Sequence, residues 1–401
     1  MPGGYFFRQT HMRSLGAFLC FVLFSASSSS QILPTQMEAV LDAIDKGVET
    51  EYYDPTVASS WRQIEREYET RILNAKSKQD AVDEIRRLLA ELHNSHVLFY
   101  TREEWNLRQN VLPFTFEKLG ERVFVRKPLQ GDDLKFGDEI ALVDGQPGSA
   151  LEAGSLAKLS GISGNPLYGQ PASEATLTVV SPRSARKVEV HRIKLDDISP
   201  IEVQKLSSKV VVIRFLSLPG DENEAAPLRE SWATLLDVQG LVMDLRDCHG
   251  GWPSASSFIL DSLLGMSRKD FKAFDRHDAE VPRSKSFAQA PRFTGKVTVV
   301  IGQGTQSECE VLAAGLKEAK RAVLVGTRTA GAFNGFTKAI PLPDRFALFA
   351  LPYTRTLSPE NKSYEGVGVA PDKVIANGVE DFHAGHDRVL EQAVRLVESA
   401  R

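Results

Sequence analysis

The stretch VTVVIGQGTQSECEVLAAGLKEA (residues 297–319) carries the reading that decides the fold. A β-branched apolar run ends in a glycine-containing turn, and Ser307 then opens a helical pattern. Strand, tight turn and helix in that order are the unit of an α/β sheet, and active sites gather where such strands end. At that corner a serine hydroxyl lies among helix N-terminal N–H groups that have no partner within the helix. Donors of this kind stabilise an oxyanion, the charge that acyl transfer must accommodate. A plainer reading makes Ser307 an N-cap, with Glu310 three residues on completing a capping box. The two readings stay open on this stretch alone.

Outward from it the same logic repeats. KVVVIRFLSL, GLVMDLRD and RAVLVGT read as strands of a parallel sheet buried on both faces, and ESWATLLDV, PSASSFILDSLLG and HDRVLEQAVRLVESA read as helices between and after them. The expected fold class is therefore an α/β core built from βαβ units. Residues 112–192 differ, with short β-runs (ERVFVRK, DEIALVDG, ATLTVVS, KVEVHRI) punctuated by glycine. Within them LKFGDEIALVDGQP resembles the core of PDZ domains, and SALEAGSLAKLSG would supply that domain's helix. A PDZ fold binds an extended peptide at a sheet edge. The usual carboxylate-binding loop is not evident. Before residue 105 the pattern is helical: PTQMEAVLDAIDKGVETEYY and SKQDAVDEIRRLLAEL place Val82, Ile85, Leu88, Leu89 and Leu92 on one stripe.

At the start of the chain, Arg8 and Arg13 precede the apolar run LGAFLCFVLFSA and a cluster of serines, the pattern of a secretory signal peptide. The run is shorter than the roughly 20 residues a membrane span needs. The expected organisation is a signal peptide over 1–30, a helical N-terminal domain over 31–110, a PDZ-like domain over 111–196 and an α/β core over 197–401. Export to the periplasm or beyond the cell follows, without a stable membrane span in the mature protein. A net charge of −4 argues against nucleic acid as a partner. Past the signal only Cys248 and Cys309 remain; they pair in an oxidising compartment or stay as two buried thiols.

Further segments weigh on Ser307. GLVMDLRDCHGGWPSAS puts Gly250 and Gly251 between a strand and a helix, where their N–H groups supply a second oxyanion donor. With VGTRTAG (325–331) and YEGVGVAPD (364–372), the chain shows LRDCHGG, SECE, GTRTAG and EGVGVAPD in that order. This set resembles the C-terminal processing (tail-specific) serine peptidase superfamily, and the resemblance spans the mature chain. It implies a crotonase-like peptidase core, with helical and PDZ-like domains before it. One position departs from the pattern. The processing branch carries a lysine base in G-x-x-T-x-G-K, and here Ala332 stands in its place; Lys338, six residues on, is a poor substitute.

The stretch ELHNSHVLF (91–99) then gains weight. By residue type alone, His93 and His96 suit one side of a metal site, though a site needs at least a third ligand. The tricorn-core-like branch of the superfamily instead uses a Ser-His pair from the N-terminal domain and a glutamate in the E-G-x-G-V motif. That resemblance implies Ser307 as nucleophile, His96 as its base, and Ser95 and Glu365 as the groups that orient it. It also implies an oxyanion hole of the backbone N–H groups of Glu308 and of Gly250 or Gly251. The expected activity is hydrolysis of peptide bonds in extended or unfolded polypeptides through an acyl-enzyme, with no cofactor and no metal. The rival expectations are a non-catalytic retinoid- or lipid-binding member of the superfamily, a metal-dependent hydrolase, and a thiol nucleophile at Cys248. Nothing in the sequence sets an oligomeric state.

Overall fold

The computed structural model describes residues 34–399 apart from 132, 153–161, 163, 182, 183, 221–224, 236 and 287. The signal peptide expected at 1–30 and most of the helix expected after the PDZ-like turn lie outside the described residues.

Three helices begin the described chain: Pro34–Glu51, Pro55–Leu73 and Lys78–Ala90. The Asp54 side chain accepts from the N–H of Thr56 at 2.8 Å, with Pro55 at the first helical position, and Ser77 caps the third helix through Asp80 N–H. Val82, Ile85, Leu88, Leu89 and Leu92 are buried, as their helical spacing requires. They do not close a core by themselves. Phe346, Phe349 and Leu351, from the far half of the chain, fill the same apolar cluster.

The link is a strand. Leu98–Thr101 pairs antiparallel with Ala347–Pro352, matching Leu98 to Ala350 and Thr101 to Ala347. Residues 91–97, which carry Ser95 and His96, therefore cross between the third helix and a strand pinned to the C-terminal half.

Phe114–Leu119, Arg122–Pro128, Glu139–Val143, Glu174–Ser181 and Ser184–His191 form the main path of an antiparallel sheet. Ala175, Leu177 and Val179 alternate inward. Asp144 and Gly145, with φ of 50° and 79°, turn the chain between Val143 and Gln146, which pair antiparallel as a hairpin. Phe124 and Phe136 of this sheet region stack on Phe382 near the C-terminus, with ring centroids 4.7 and 5.1 Å apart. Gly137 permits the approach, since a Cβ there would meet the Phe382 carbonyl oxygen at 2.0 Å.

A six-stranded sheet runs in the order Ile201–Lys205, Val210–Phe215, Gly240–Asp244, Lys296–Ile301, Val323–Gly326, Lys373–Val374, parallel except for its first strand. Val211, Ile213, Leu241 and Val299 face the cluster made with helices Pro253–Leu264 and Glu308–Glu318. Val210, Val212, Val242 and Val300 face helix Arg388–Glu398 on the other side. A strand covered on both faces must be apolar at every position, which is why these runs lack alternation.

Past the Gly240–Asp244 strand, Arg246 is bidentate on Asp387 (2.9 and 2.6 Å) and also bound to Asp244 (3.0 and 2.7 Å). Burial alone would raise the Asp244 carboxyl; the guanidinium outweighs it and holds that carboxyl well below the usual range. The LRD motif thus ties the C-terminal helix to the strand end from which the Gly250 turn departs.

Candidate active site

The turn at 302–307 is fixed from several sides. Thr305 donates its hydroxyl to the Leu245 carbonyl (2.8 Å), Gln306 N–H donates to Cys248 O (2.9 Å), and Ser307 N–H donates to Ala332 O (2.7 Å). These bonds hold Ser307 at φ 54°, ψ −127°, a backbone region that residues other than glycine rarely occupy. The Ser307 side chain makes no cap bond to its helix. Glu310 turns away as well: its carboxylate takes the Thr329 hydroxyl and the N–H groups of Gly331 (2.9 Å) and Ala332 (2.7 Å). The capping-box reading of Ser307 and Glu310 is thereby overturned. The sharp turn aims the serine hydroxyl out of the helix axis, and the burial of Glu310 gives its carboxylate other donors to satisfy.

What the hydroxyl meets is His96, whose Nε2 lies 3.1 Å from Ser307 Oγ. Its Nδ1 lies 2.8 Å from Ser95 Oγ, and its backbone N–H donates to Asn94 Oδ1 at 2.8 Å. Asn94 thus closes an Asx turn that bends the chain toward the site, a role its position two residues before His96 could have signalled. Glu365 Oε1 accepts the Ser95 N–H at 2.9 Å, while Oε2 accepts the N–H groups of Phe333 and Asn334, each at 2.7 Å. Ser307, His96, Ser95 and Glu365 therefore form one hydrogen-bonded line. Glu365 reaches Ser95 through the backbone N–H rather than through its hydroxyl. His96 is buried and Ser307 half-buried, so the line opens to solvent at the serine.

Gly250 lies against Ser307: a Cβ placed there would come within 2.6 Å of Ser307 Cβ and 3.1 Å of its Oγ. Gly250 and Gly251 have φ of 106° and 138°, which side-chain-bearing residues rarely adopt. Among the described residues, no backbone carbonyl takes the N–H of Gly250 or of Glu308. The Glu308 side chain points elsewhere, into an ion pair with Arg283 at 2.6 and 2.7 Å. Cys248 and Cys309 form a disulfide across the site, from two residues before Gly250 to two after Ser307. Sequence left this pairing open, and a bridged Cys248 has no thiol for a nucleophilic role.

Other sequence candidates fall outside the site. His93 is exposed at φ 46° in the turn after the helix, so it and His96 do not share a helical face. Lys338 pairs with Glu51 at 2.8 Å. Ala332 is buried, and its carbonyl accepts from the Ser307 N–H. His383 bonds Arg122, and His386 bonds Glu391. Among the described residues, no three His, Cys, Asp or Glu side chains come together as a metal site would require, and no helix is long and apolar enough to cross a membrane.

With this geometry in hand, comparison with known proteins is informative. Residues 209–375 match the description Peptidase family S41. The carboxy-terminal-processing protease of Bartonella bacilliformis is 25% identical over 285 residues, covering 63% of this chain. The chain spans 62% of that relative, less than two thirds of its length. Among solved structures, the photosystem II D1 C-terminal processing protease superposes with a TM-score of 0.58 at 22% identity, covering 91% of this chain and 98% of that one. The tricorn protease superposes with a TM-score of 0.52 at 17% identity, over 91% of this chain and 37% of its own. At these identities the superpositions speak for the fold, a mixed α/β arrangement of several sheets.

Proposed function

Because this chain is a relative of the carboxy-terminal processing serine peptidases and matches peptidase family S41 over residues 209–375, we propose that it hydrolyses peptide bonds through an acyl-enzyme on Ser307. The observation that carries the reading is the 3.1 Å approach of His96 Nε2 to Ser307 Oγ, in a chain with alanine at the position of the processing branch's lysine. A serine hydroxyl needs an adjacent base to act as a nucleophile at neutral pH. In the tautomer with Nδ1–H directed at Ser95 Oγ, the Nε2 lone pair faces the Ser307 hydroxyl. Nε2 takes that proton as Oγ adds to the scissile carbonyl, then delivers it to the nitrogen as the C–N bond breaks. Water next attacks the ester, giving a proton to Nε2; the C–Oγ bond breaks, and Ser307 recovers its proton as the carboxylic acid product leaves. The N–H groups of Glu308 and Gly250, with Gly251 beside them, receive the oxyanion.

In the same reading the core is crotonase-like, and the antiparallel sheet at 114–191 is a PDZ-like domain. Residues 1–30 direct export, for which a disulfide between Cys248 and Cys309 is apt support. Substrates are extended or unfolded polypeptides. A non-catalytic binding protein of the same fold has no need of three residues lined up behind one serine hydroxyl.

The test is reaction with a fluorophosphonate, followed by mapping of the adduct. Modification at Ser307, together with release of amine from an unfolded polypeptide, is the expected result. An unmodified Ser307 in folded protein would sink the peptidase reading in favour of a binding protein, and chelator-sensitive hydrolysis would favour a metal enzyme. Gly250→Ala keeps the N–H but its Cβ would displace Ser307, and it is expected to slow the modification by about 10²-fold, the cost of a misplacement on the order of an ångström. An unchanged rate in that variant would remove Gly250 from the site.

A further inference from the structure

Residues 331–334 stand where a Ser-Lys enzyme would carry its base, and here they offer no titratable side chain. What they offer is backbone. Four consecutive N–H groups are held by two carboxylates, those of Gly331 and Ala332 by Glu310 and those of Phe333 and Asn334 by Glu365. One end of the segment is bound to the nucleophile, through Ser307 N–H on Ala332 O at 2.7 Å. The other end reaches the base, because the carboxylate that binds Phe333 and Asn334 also binds Ser95 N–H.

We propose that Glu310 is a positioning residue: its ionised carboxylate, with that of Glu365, holds residues 331–334 as a strut that sets the distance between Ser307 and His96. The inference rests on the peptidase reading for its kinetic consequences and on hydrogen bonding alone for its structural ones. Glu310 is fully buried, one turn into the helix that Ser307 opens. A carboxylate there accepts all three of its donors. A protonated acid must place its own O–H against one of them, and the strut loosens.

Burial pushes the Glu310 carboxyl up to about 7, against the pull of Thr329 and the two N–H groups and with a further push from Glu365. Glu365 is the charged group across the strut. On Glu310's own helix Glu308 is occupied by Arg283, and beside Thr329 the Arg328 guanidinium donates to the Gly368 carbonyl at 3.2 Å. As pH falls through about 7 the carboxylate takes up a proton, so the acylation rate carries an acid limb belonging to Glu310 in addition to the loss that protonation of the base His96 itself brings.

The test uses the folded chain and two variants. Glu310→Gln keeps the shape but sets an NH₂ against backbone N–H groups. It is expected to slow fluorophosphonate acylation about tenfold to a hundredfold, the cost of a misplacement on the order of an ångström. It also abolishes the Glu310 acid limb and speeds amide exchange at 331–334 and at Ser95. Thr329→Val removes a donor to the ionised form and moves the acid limb upward by about one pH unit; Thr329→Ser restores it. An acid limb that is the same in wild type, Glu310→Gln and Thr329→Val overturns the proposal, as does exchange that quickens only at Gly331 and Ala332. If wild type is not acylated at all, the peptidase reading fails, and the strut is still judged by amide exchange.

Discussion

Replacing His96 by alanine is expected to lower the acylation rate of Ser307 by about 10⁴–10⁶-fold while leaving the fold intact. The size follows from the unit character of a nucleophile and its base. Losing either costs nearly as much as losing both, and the remaining rate comes from oxyanion donors and substrate binding. Neither Lys338 nor position 332 holds a second base in reserve. Lys338 is engaged with Glu51, and Ala332 supplies only backbone to the site. The fold should survive, because the bends around the ring are set by Asn94 and Glu365 through backbone N–H groups, not by the imidazole. The measurement is the rate of fluorophosphonate modification, with the melting midpoint as control. Labelling at the wild-type rate in His96→Ala would falsify its assignment as the base. Ser95→Ala is expected to cost less, since Ser95 orients the ring with a neutral hydroxyl and its backbone still anchors to Glu365.

The second large effect concerns stability. The Cys248–Cys309 bridge joins residues 61 positions apart, and closing a loop of that length in the unfolded chain is worth about 4 kcal/mol in the chain-entropy account. The double variant Cys248→Ala, Cys309→Ala should therefore show a lower denaturant midpoint and a steeper slope, because the unfolded chain without the bridge is less compact. Its catalytic loss should be the smaller effect. The turn keeps its other ties, Gln306 N–H on Cys248 O at 2.9 Å and Leu218 N–H on Gly250 O at 2.8 Å. Both sulfurs are fully buried, so added reductant should act on the unfolded chain well before the folded one. An unchanged midpoint, or two thiols that titrate in unfolded protein without reductant, would remove the bridge from the account.

Legibility in the sequence followed the range of the physics involved. Local signals were read well. The stripe Val82–Ile85–Leu88–Leu89, the Asp144-Gly145 hairpin and the β-branched runs of the core sheet each depend on neighbours a few residues away. The choice of Ser307 came from a strand–turn–helix junction, a local feature supported by motif order. Glu310 was misread because its three-residue spacing from Ser307 fits a cap, whereas its actual partners lie 19 to 22 positions away. Glu365 was found by motif, yet its contact with the Ser95 backbone rather than the hydroxyl is a matter of geometry. Asn94 was missed, although Asn followed two residues on by a bent chain is a recognisable Asx pattern.

By itself, then, the sequence determined which segments become helices and strands, which residues face inward, and that alanine rather than lysine stands at position 332. Tertiary structure decided the rest: that His96 meets Ser307 across 211 positions, that Cys248 bonds Cys309, and that two carboxylates grip one backbone segment between them. The physical reason is the pairing of Leu98–Thr101 with Ala347–Pro352. Register between distant strands is set by apolar faces that must be buried together, and no short-range pattern records which distant face that will be.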